Sequence, residues 1–305
     1  MKRNEIEKRY INVMCHPSDE GTLVIGEEKV ALIDCGMAFC APEKIEKLKS
    51  LLGGRPIDYI IAGHSHYDHI GSIPHMKKVW KDLKVISSEY AATVFTKPGA
   101  LKMIRELSVT AAKTYRPDDA KLPEYVNDYD DAAFHTDIIV HEGDKIELGG
   151  ITLEVIATPG HTRDAISFYI PEWKLIKVDE TLGVLTSETT MYPVYLVSYL
   201  LAREAIEKCA KYDAEFISSP HYGLVSDEVA RGYFKLAMDT INECRDLLLK
   251  GYYEGKSEEE LVEVFAARYR NDNLVDKQPY EAFMLNTVVT IRTTIKECAE
   301  PKEQA

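Results

Sequence analysis

The chain has 305 residues, of which 45% are hydrophobic and 29% are charged, so it can bury a large core and is not a disordered segment. Its 37 lysines and arginines against 50 aspartates and glutamates give a formal net charge of −13, which argues against a nucleic-acid partner. The six cysteines include no Cys-x-x-Cys pair, and the N-terminus lacks an apolar secretory segment. No apolar run reaches the ~18 residues that span a membrane. We therefore expect a reduced, cytoplasmic protein without a membrane partner.

The first third of the chain alternates short strands with a helix. Short β-type runs broken by turn residues predict three strands before residue 34, and a buried strand stops at Gly63. Between them, helical spacing of apolar residues ends at Gly53-Gly54, which is typical of a helix C-terminus. The predicted strands are Tyr10–Val13, Thr22–Ile25, Lys29–Ile33 and Ile57–Ile61, and the predicted helix is Pro42–Leu52.

The middle of the chain begins with a helical stretch from Glu89 to about Lys113, which Pro98-Gly99 weakens. A long loop rich in Asp, Tyr and Pro follows over Arg116–Phe134, and its length favours a functional role or mobility. Strands then resume, with one helix at Val197–Ala210. The predicted strands are Asp137–His141, Lys145–Leu148, Ile151–Ile156, Ala165–Ile170, Leu175–Val178 and Glu215–Ser218.

From Ser226 onward the pattern predicts helices alone, over about 226–250, 258–269 and 280–298, and Ser257 with Glu260 forms a capping box. We therefore expect an α/β domain over residues 1–222, with a helical and loop insertion at about 97–135, and an all-helical extension over 223–305. The apolar faces of these helices fit packing on the α/β domain, where they would cap it or its site, or pairing with a second copy of the chain in a homodimer.

The densest group of chemically reactive side chains is the segment Gly63–His69. Three of the nine histidines fall within six positions beside an aspartate, directly after a predicted strand. Imidazole and carboxylate are ligands that suit zinc, iron or manganese. In an extended loop His64 and His66 would point the same way toward one ion, whereas Asp68 and His69 come later, at a helix start, and would face a second. The spacing favours a metal site over a solvated polar loop.

Three further segments place residues of the same types directly after predicted strands. His161 follows Ile151–Ile156, Asp179 and Glu180 follow Leu175–Val178, and His221 follows Glu215–Ser218. Loops after strands are where α/β proteins usually build their sites. Five histidines therefore share one repeated context, which strengthens the metal-site interpretation.

With these motifs, residues ~8–222 resemble the metallo-β-lactamase-fold hydrolase superfamily. The matching motifs are the cluster at 64–69, His161, an acid at 179 or 180, and His221, and Asp34 resembles the family's first motif, an acid that braces the metal loop. The resemblance implies an α/β (α+β) fold, a four-layer αββα sandwich of two mixed sheets with helices outside and two metals at one edge.

The resemblance also implies a bridging acid between the two metals. Glu180 aligns best with that position because Glu180-Thr181-Leu182 keeps the family's acid-x-Leu spacing, and Asp179 is the alternative. Glutamate is one methylene longer than the usual aspartate, so the metal separation and metal preference stay open. Carried over residue by residue, the implied ligands are His64, His66 and His161 for metal 1, and Asp68, His69 and His221 for metal 2.

The implied activity is hydrolysis with two divalent cations, zinc by default and iron or manganese as alternatives. Two such cations ~3.5–4 Å apart lower the pKa of a bridging water, and Asp68 is placed to orient the resulting hydroxide and accept its proton. The helical C-terminal addition is similar to that of hydroxyacylglutathione hydrolases and quinolone-response-type thioesterases, so we expect a small-molecule thioester or other carboxylic ester as substrate. The alternatives are a small phosphodiester or cyclic-nucleotide hydrolase, an iron-dependent redox protein of the same fold, and a non-catalytic metal-binding regulatory protein.

Other reactive side chains have structural interpretations. His75, six positions after His69, is predicted to be solvated or to cap a helix, and Cys35 is predicted to be a small buried core residue. Tyr67 and Tyr222 adjoin predicted ligands and are candidates for a pocket wall.

Overall fold

A computed structural model of the protein describes residues 3–275 and 278–300. Its first β-sheet has six strands whose order in the sheet is their order in the chain. The first three strands pair antiparallel and the last three continue the sheet in parallel. These strands are β1 (Tyr10–Asn12), β2 (Thr22–Ile25), β3 (Val30–Ile33), β4 (Tyr59–Ile61), β5 (Lys84–Ser88) and β6 (Ile138–Val140).

The second sheet also has six strands and is mostly antiparallel. Its strands are β7 (Lys145–Glu147), β8 (Thr152–Ala157), β9 (Ile166–Ile170), β10 (Leu175–Lys177), β13 (Phe216–Ser219) and β14 (Gly223–Leu224), and a separate hairpin is formed by β11 (Val184–Leu185) and β12 (Met191–Tyr192). The sheet order is β14-β13-β10-β9-β8-β7, with β10 and β13 parallel. A mixed sheet of this kind results where a helix connects two parallel neighbours.

Helices cover the outer faces of both sheets and also form the C-terminal part of the chain. The helices of the first two thirds are α1 (Arg3–Ile6), α2 (Ala41–Leu52), α3 (Tyr67–Ile70), α4 (Ile73–Val79), α5 (Glu89–Val94), α6 (Pro98–Tyr115), α7 (Leu122–Asn127) and α8 (Tyr199–Cys209). Those that follow are α9 (Asp227–Tyr253), α10 (Glu258–Tyr269), α11 (Asp272–Val275) and α12 (Tyr280–Cys298).

The buried side chains of the first sheet pack on both of its faces. Successive side chains of a strand point to opposite faces, so one set packs against α2 and α4 while its neighbours pack against the second sheet. The set facing the helices includes Leu23, Leu32, Ile60 and Val85. The set facing the second sheet includes Val24, Ile33, Ile61 and Ile86.

The C-terminal helices pack on the outer face of the second sheet. Ile176 and Ile217 on the outer face of the second sheet belong to the same buried cluster as Tyr195, Phe265 and Phe283, so α9, α10 and α12 share a core with the sheet. The capping box of Ser257 and Glu260 is present at the start of α10. Among the described residues, no helix combines the length and apolar character needed to cross a membrane.

The predicted α/β fold of two mixed sheets with helices outside is confirmed, and three local predictions need correction. The helix predicted from Glu89 to Lys113 is two helices, because residues 95–97 leave the helix before Pro98 begins α6. The loop predicted over Arg116–Phe134 contains α7. Strand β5 was missed because its apolar core is only Val85-Ile86, too short a run to predict a strand.

Candidate metal centre

The candidate centre lies at one edge of the sandwich, where four chain segments leave their strands. His64 follows β4, and His66 is the N-cap residue of α3, the helix that carries Asp68 and His69. His161 follows β8, Glu180 begins a short 3₁₀ turn after β10, and His221 follows β13.

These side chains form two groups that meet at one carboxylate. Within each group, one candidate ligand atom per residue lies within 4.8 Å of all the others, and Glu180 belongs to both groups. The predicted ligand residues are therefore brought together, and Asp179 is in neither group. The first group is His64, His66, His161 and Glu180, and the second is Asp68, His69, His221 and Glu180.

The Glu180 carboxylate divides its two oxygens between the groups. Oε2 lies 2.7 Å from His161 Nε2 and 4.0 Å from His64 Nε2. Oε1 lies 2.7 Å from His221 Nε2 and 3.8 Å from His69 Nε2. One carboxylate in this position can hold a cation with each oxygen.

Three of the five histidines are oriented by a hydrogen-bond acceptor at Nδ1. The acceptors are Asp179 Oδ2 for His64 at 2.8 Å, the Val194 carbonyl for His161 at 2.7 Å and the Asp19 carbonyl for His221 at 3.1 Å. His69 Nδ1 lies 3.1 Å from Asp34 Oδ2, an ion-pair distance without hydrogen-bond geometry. An acceptor at one ring nitrogen fixes the tautomer and frees the other nitrogen to bind a metal. Each of these histidines accordingly presents Nε2 to the centre.

The buried polar atoms of this centre are suited to binding metal ions. The Nε2 atoms of His64 and His69 are buried and have no hydrogen-bond partner among the described residues, which is costly unless another group binds them. His66 presents Nδ1 instead, 3.0 Å from His161 Nε2. Imidazole nitrogens and carboxylate oxygens without a thiolate are donors suited to zinc, iron or manganese.

The side chains of the centre shift one another's protonation. Burial, and then the imidazoles of His69, His66 and His161, hold the pKa of His64 well below its usual value. Burial alone would raise the pKa of Glu180, but His161 and the other histidines outweigh it and hold this pKa well below its usual value. Burial would also lower the pKa of His69, His161 and His221, but Glu180 and, for His69, Asp34 outweigh it and raise these pKa values. A metal ion bound at these three histidines would therefore have to displace protons.

Asp34 and His221 hold the centre through strained backbone. Both are non-glycine residues in the left-handed region, at φ 54° and 53° respectively. Such conformations persist where the surroundings over-determine them, as at functional sites. Asp34 Oδ1 accepts a hydrogen bond of 2.8 Å from the Gly63 amide while Oδ2 faces His69, so this acid braces the loop between β4 and α3.

A cluster of buried charged side chains, which the sequence analysis did not identify, lies next to His221 of the centre. Glu20 Oε2 accepts a hydrogen bond of 2.6 Å from the His221 amide, and its carboxylate is 3.7 Å from the buried Lys177. Burial would raise the pKa of Glu20, but Lys177 and the nearby histidines outweigh it and lower this pKa to about 2. The neighbouring Asp19 pairs with Lys44 at 2.8 Å, and both side chains are fully buried.

A cavity of about 410 Å³ opens directly onto the centre. His66, Asp68, Glu180 and His221 form its floor. Its walls come from α6, from the β11–β12 hairpin and from the C-terminal helices, and they include Met103, Leu107, Tyr192, Leu274 and Leu285. This volume is in the range of small-molecule sites.

Of the residues given structural interpretations, Cys35 is buried as predicted and His75 needs correction. His75 is only 1% exposed and stacks on Tyr125 with ring centroids 4.4 Å apart, so it is neither solvated nor a cap. Tyr67 lines the cavity, whereas Tyr222 lies in a different surface groove. The spacing of Ile73 and Met76 on α4 was a signal that His75 sits on a short helix packed on both sides.

Burial of His75 predicts a stability that falls in acid. Burial lowers its pKa to about 4, whereas an unfolded histidine titrates near ~6.5. As the pH falls below ~6.5, His75 becomes protonated in the unfolded chain but stays neutral in the folded chain. The free energy of unfolding therefore decreases between pH ~6.5 and pH ~4, by about 2–3 kcal/mol. We expect urea unfolding at pH 7.5 and 4.5 to give a decrease in stability that is about 2–3 kcal/mol smaller for His75→Phe than for the wild type. The control is His135→Phe, at an exposed histidine, which should behave as the wild type does. Equal losses in wild type and His75→Phe would contradict it.

Comparison with known proteins shows the same architecture elsewhere. The family model described as Metallo-beta-lactamase superfamily matches residues 21–221. The metallo-beta-lactamase fold-containing protein ST1585 of Sulfurisphaera tokodaii is 22% identical over 215 residues, which are 70% of this chain and 76% of that protein. A metallo-beta-lactamase family protein from Thermus thermophilus, TTHA1429, superposes with a TM-score of 0.65 at 18% identity, covering 95% of this chain and 92% of that one.

A hydroxyacylglutathione hydrolase is also among the similar proteins. The one from Brucella canis is 25% identical over 187 residues, which are 61% of this chain and 55% of that protein. The chain therefore matches about half the length of this relative.

Proposed function

Because the chain belongs to the metallo-β-lactamase superfamily, we propose that it is a hydrolase with two divalent metal ions that cleaves a small-molecule thioester or another carboxylic ester. The observation that carries this proposal is the position of Glu180, whose two oxygens face two separate groups of histidines. The similarity to a hydroxyacylglutathione hydrolase, named for a thioester substrate, supports the thioester class.

In this proposal each residue has a defined role. His64, His66 and His161 would hold one cation, Asp68, His69 and His221 would hold the other, and Glu180 would bridge them. When bound, such cations lower the pKa of water and polarise the bond under attack. Asp179 is a positioning residue, since its carboxylate orients His64, and Asp34 has the same role toward His69.

Asp68 is the residue placed to move the proton. Its side chain is 20% exposed, lines the cavity and lies 3.8 Å from His221 Nε2, so it is within reach of both the centre and a substrate. It would accept the proton of the water that adds to the carbonyl carbon and pass it to the departing sulfur or oxygen. The products are then a carboxylic acid and a thiol or alcohol.

The test combines metal analysis with a substrate panel. We expect elemental analysis of the purified protein to give about two divalent ions per chain, and we expect chelation to remove both the ions and thioester hydrolysis. Adding the ions back should restore turnover. His161→Ala should lose metal and turnover, whereas His141→Ala, whose side chain is 63% exposed and lies outside the centre, should keep both.

Three results would contradict this proposal. Stoichiometric metal without turnover of any ester or thioester would favour a metal-binding regulatory protein. Preferential turnover of phosphodiesters would favour the phosphodiesterase alternative. Bound iron with a redox-active spectrum and no hydrolysis would favour the redox alternative.

A further inference from the structure

We infer that the substrate is uncharged and apolar on both sides of the bond that is cleaved, an inference that rests on the proposed function. The cavity opening onto the centre sets this requirement because its described walls carry no lysine or arginine. Hydroxyacylglutathione, by contrast, has two carboxylates in its glutathione part. The substrate class therefore differs from the one that gives the Brucella canis relative its name.

The walls above the floor are almost entirely apolar. Apart from the floor residues, only Gln278, Glu281 and Asn286 bring amide or charged side chains to the described lining. The remaining lining residues are aliphatic or aromatic, or are methionine or proline, and two of them, Tyr67 and Tyr192, also carry a hydroxyl group. A carboxylate placed against such a wall loses much of its hydration and meets no cation there, which is unfavourable in an apolar environment.

The one charged group on the described walls is also of the wrong sign for an anion. Glu281 on α12 is a carboxylate, so it would repel an anionic substrate further. Two divalent cations at the floor outweigh the two carboxylates of Asp68 and Glu180, so the floor itself does not exclude anions. Selection against charge must therefore come from the walls.

The cavity mouth extends this apolar surface to solvent. Met103 on α6 and Leu285 on α12 both line the cavity, yet they are 58% and 55% exposed. Exposed apolar side chains that continue a cavity are typical of a ligand-binding groove. In this inference, the acyl chain of the substrate would leave the cavity past these two side chains.

Arg270 is a cation beside α12 that could in principle receive an anionic substrate. Its guanidinium lies over the rings of Tyr280 and Phe283, with centroid distances of 5.0 and 4.7 Å, and it is not among the residues that line the cavity. Stacking on these rings supports α12. The Nη1 atom of this guanidinium is buried without a hydrogen-bond partner among the described residues, and Arg270 is not part of the cavity wall. Lys277 lies outside the described residues, so a variant of it is included in the experiment.

The test compares a neutral thioester with two anionic thioesters. The neutral reference is S-octanoyl-N-acetylcysteamine. One anionic partner is the same compound with a carboxylate at the end of the acyl chain, with its methyl ester as a control for size, and the other is S-octanoylglutathione. We expect kcat/KM to be at least about tenfold lower for both anionic compounds and similar for the methyl ester. A value within tenfold of the reference for either anion would overturn the inference.

The length of the substrate's acyl chain and a variant of one wall residue provide two further tests. From acetyl to octanoyl, each added methylene should raise kcat/KM by about threefold until the cavity is filled. Leu285→Lys should raise the ratio of anionic to neutral turnover by about threefold or more relative to its neutral match Leu285→Gln. No dependence on acyl length, or an anion preference that disappears in Lys277→Gln, would overturn the inference.

A binding measurement separates this inference from the proposed function. Calorimetric titration of the metal-loaded protein should show octanamide binding at least about tenfold more tightly than the same amide with a terminal carboxylate, and Leu285→Lys should reduce that difference. If no thioester or ester is hydrolysed but this preference is present, the proposed function fails and the apolar site stands. If thioesters are hydrolysed but the carboxylate binds equally well, the inference fails and the proposed function stands.

Discussion

Replacing Glu180 with glutamine is expected to reduce metal content to one ion per chain or less and to lower kcat/KM by about 10³-fold or more. The carboxylate has one oxygen 2.7 Å from His161 and the other 2.7 Å from His221, and glutamine keeps only one of these oxygens. The amide nitrogen that replaces the other cannot bind a cation. Loss of a group shared by two sites should therefore affect both.

Asp179→Asn is the matched comparison for this change. Asp179 is hydrogen-bonded to the centre through His64, whose Nδ1 is 2.8 Å from its Oδ2. Such supporting partners typically contribute about 10–100-fold in metal affinity, so we expect weakened binding at one site with both ions retained at high metal concentration. Elemental analysis after dialysis against graded metal concentrations distinguishes the variants. The reverse ranking, with Asp179→Asn losing both ions, would assign the bridge to Asp179.

Lys44→Met is expected to destabilise the protein by about 3–5 kcal/mol, the cost of leaving a buried partner charge unpaired. Lys44 Nζ is fully buried, 2.8 Å from Asp19 Oδ2, and donates to the carbonyls of Glu20 and Cys35 at 2.6 and 3.0 Å. Methionine has a similar volume but leaves Asp19 and both carbonyls without this donor. Urea unfolding of the metal-free protein measures the effect directly.

The same helix supplies the control for this prediction. Lys49→Met removes an exposed pair with Glu46 and should change stability by less than about 0.5 kcal/mol. Because the Asp19 carbonyl and the Glu20 carboxylate both contact His221, Lys44→Met should also weaken metal binding, and Lys49→Met should not. Equal stability of the two variants would show that the buried pair contributes no net free energy.

The sequence predicted the floor of the cavity because its ligands follow strands. A polar side chain directly after a buried strand lies at an edge of its sheet, as His64 does in the first sheet and His161 and His221 do in the second. Packing of the two sheets then brings these edges together. The choice of Glu180 over Asp179 depended on one acid-x-Leu spacing, and the structure places Glu180, not Asp179, in both groups of potential ligands.

The walls of the cavity could not be predicted in the same way. Met103 and Leu285 come from helices far apart in the chain, and which face of an amphipathic helix meets a cavity depends on how it packs. Lys44 was a detectable signal that was not used. It lies on the apolar side of α2, near Ile45 and Leu48, where a lysine must find a buried partner.

The separate origins of floor and walls have a consequence for how such a protein can change. Every candidate ligand lies between residues 64 and 221, on loops of the sandwich or on the short helix α3, whereas much of the wall belongs to α6 and to the last two helices. Mutations or exchanges confined to those helices would thus redirect the proposed activity to new compounds and leave the candidate metal ligands unchanged. Laboratory evolution toward altered specificity should begin at Met103, Leu274 and Leu285.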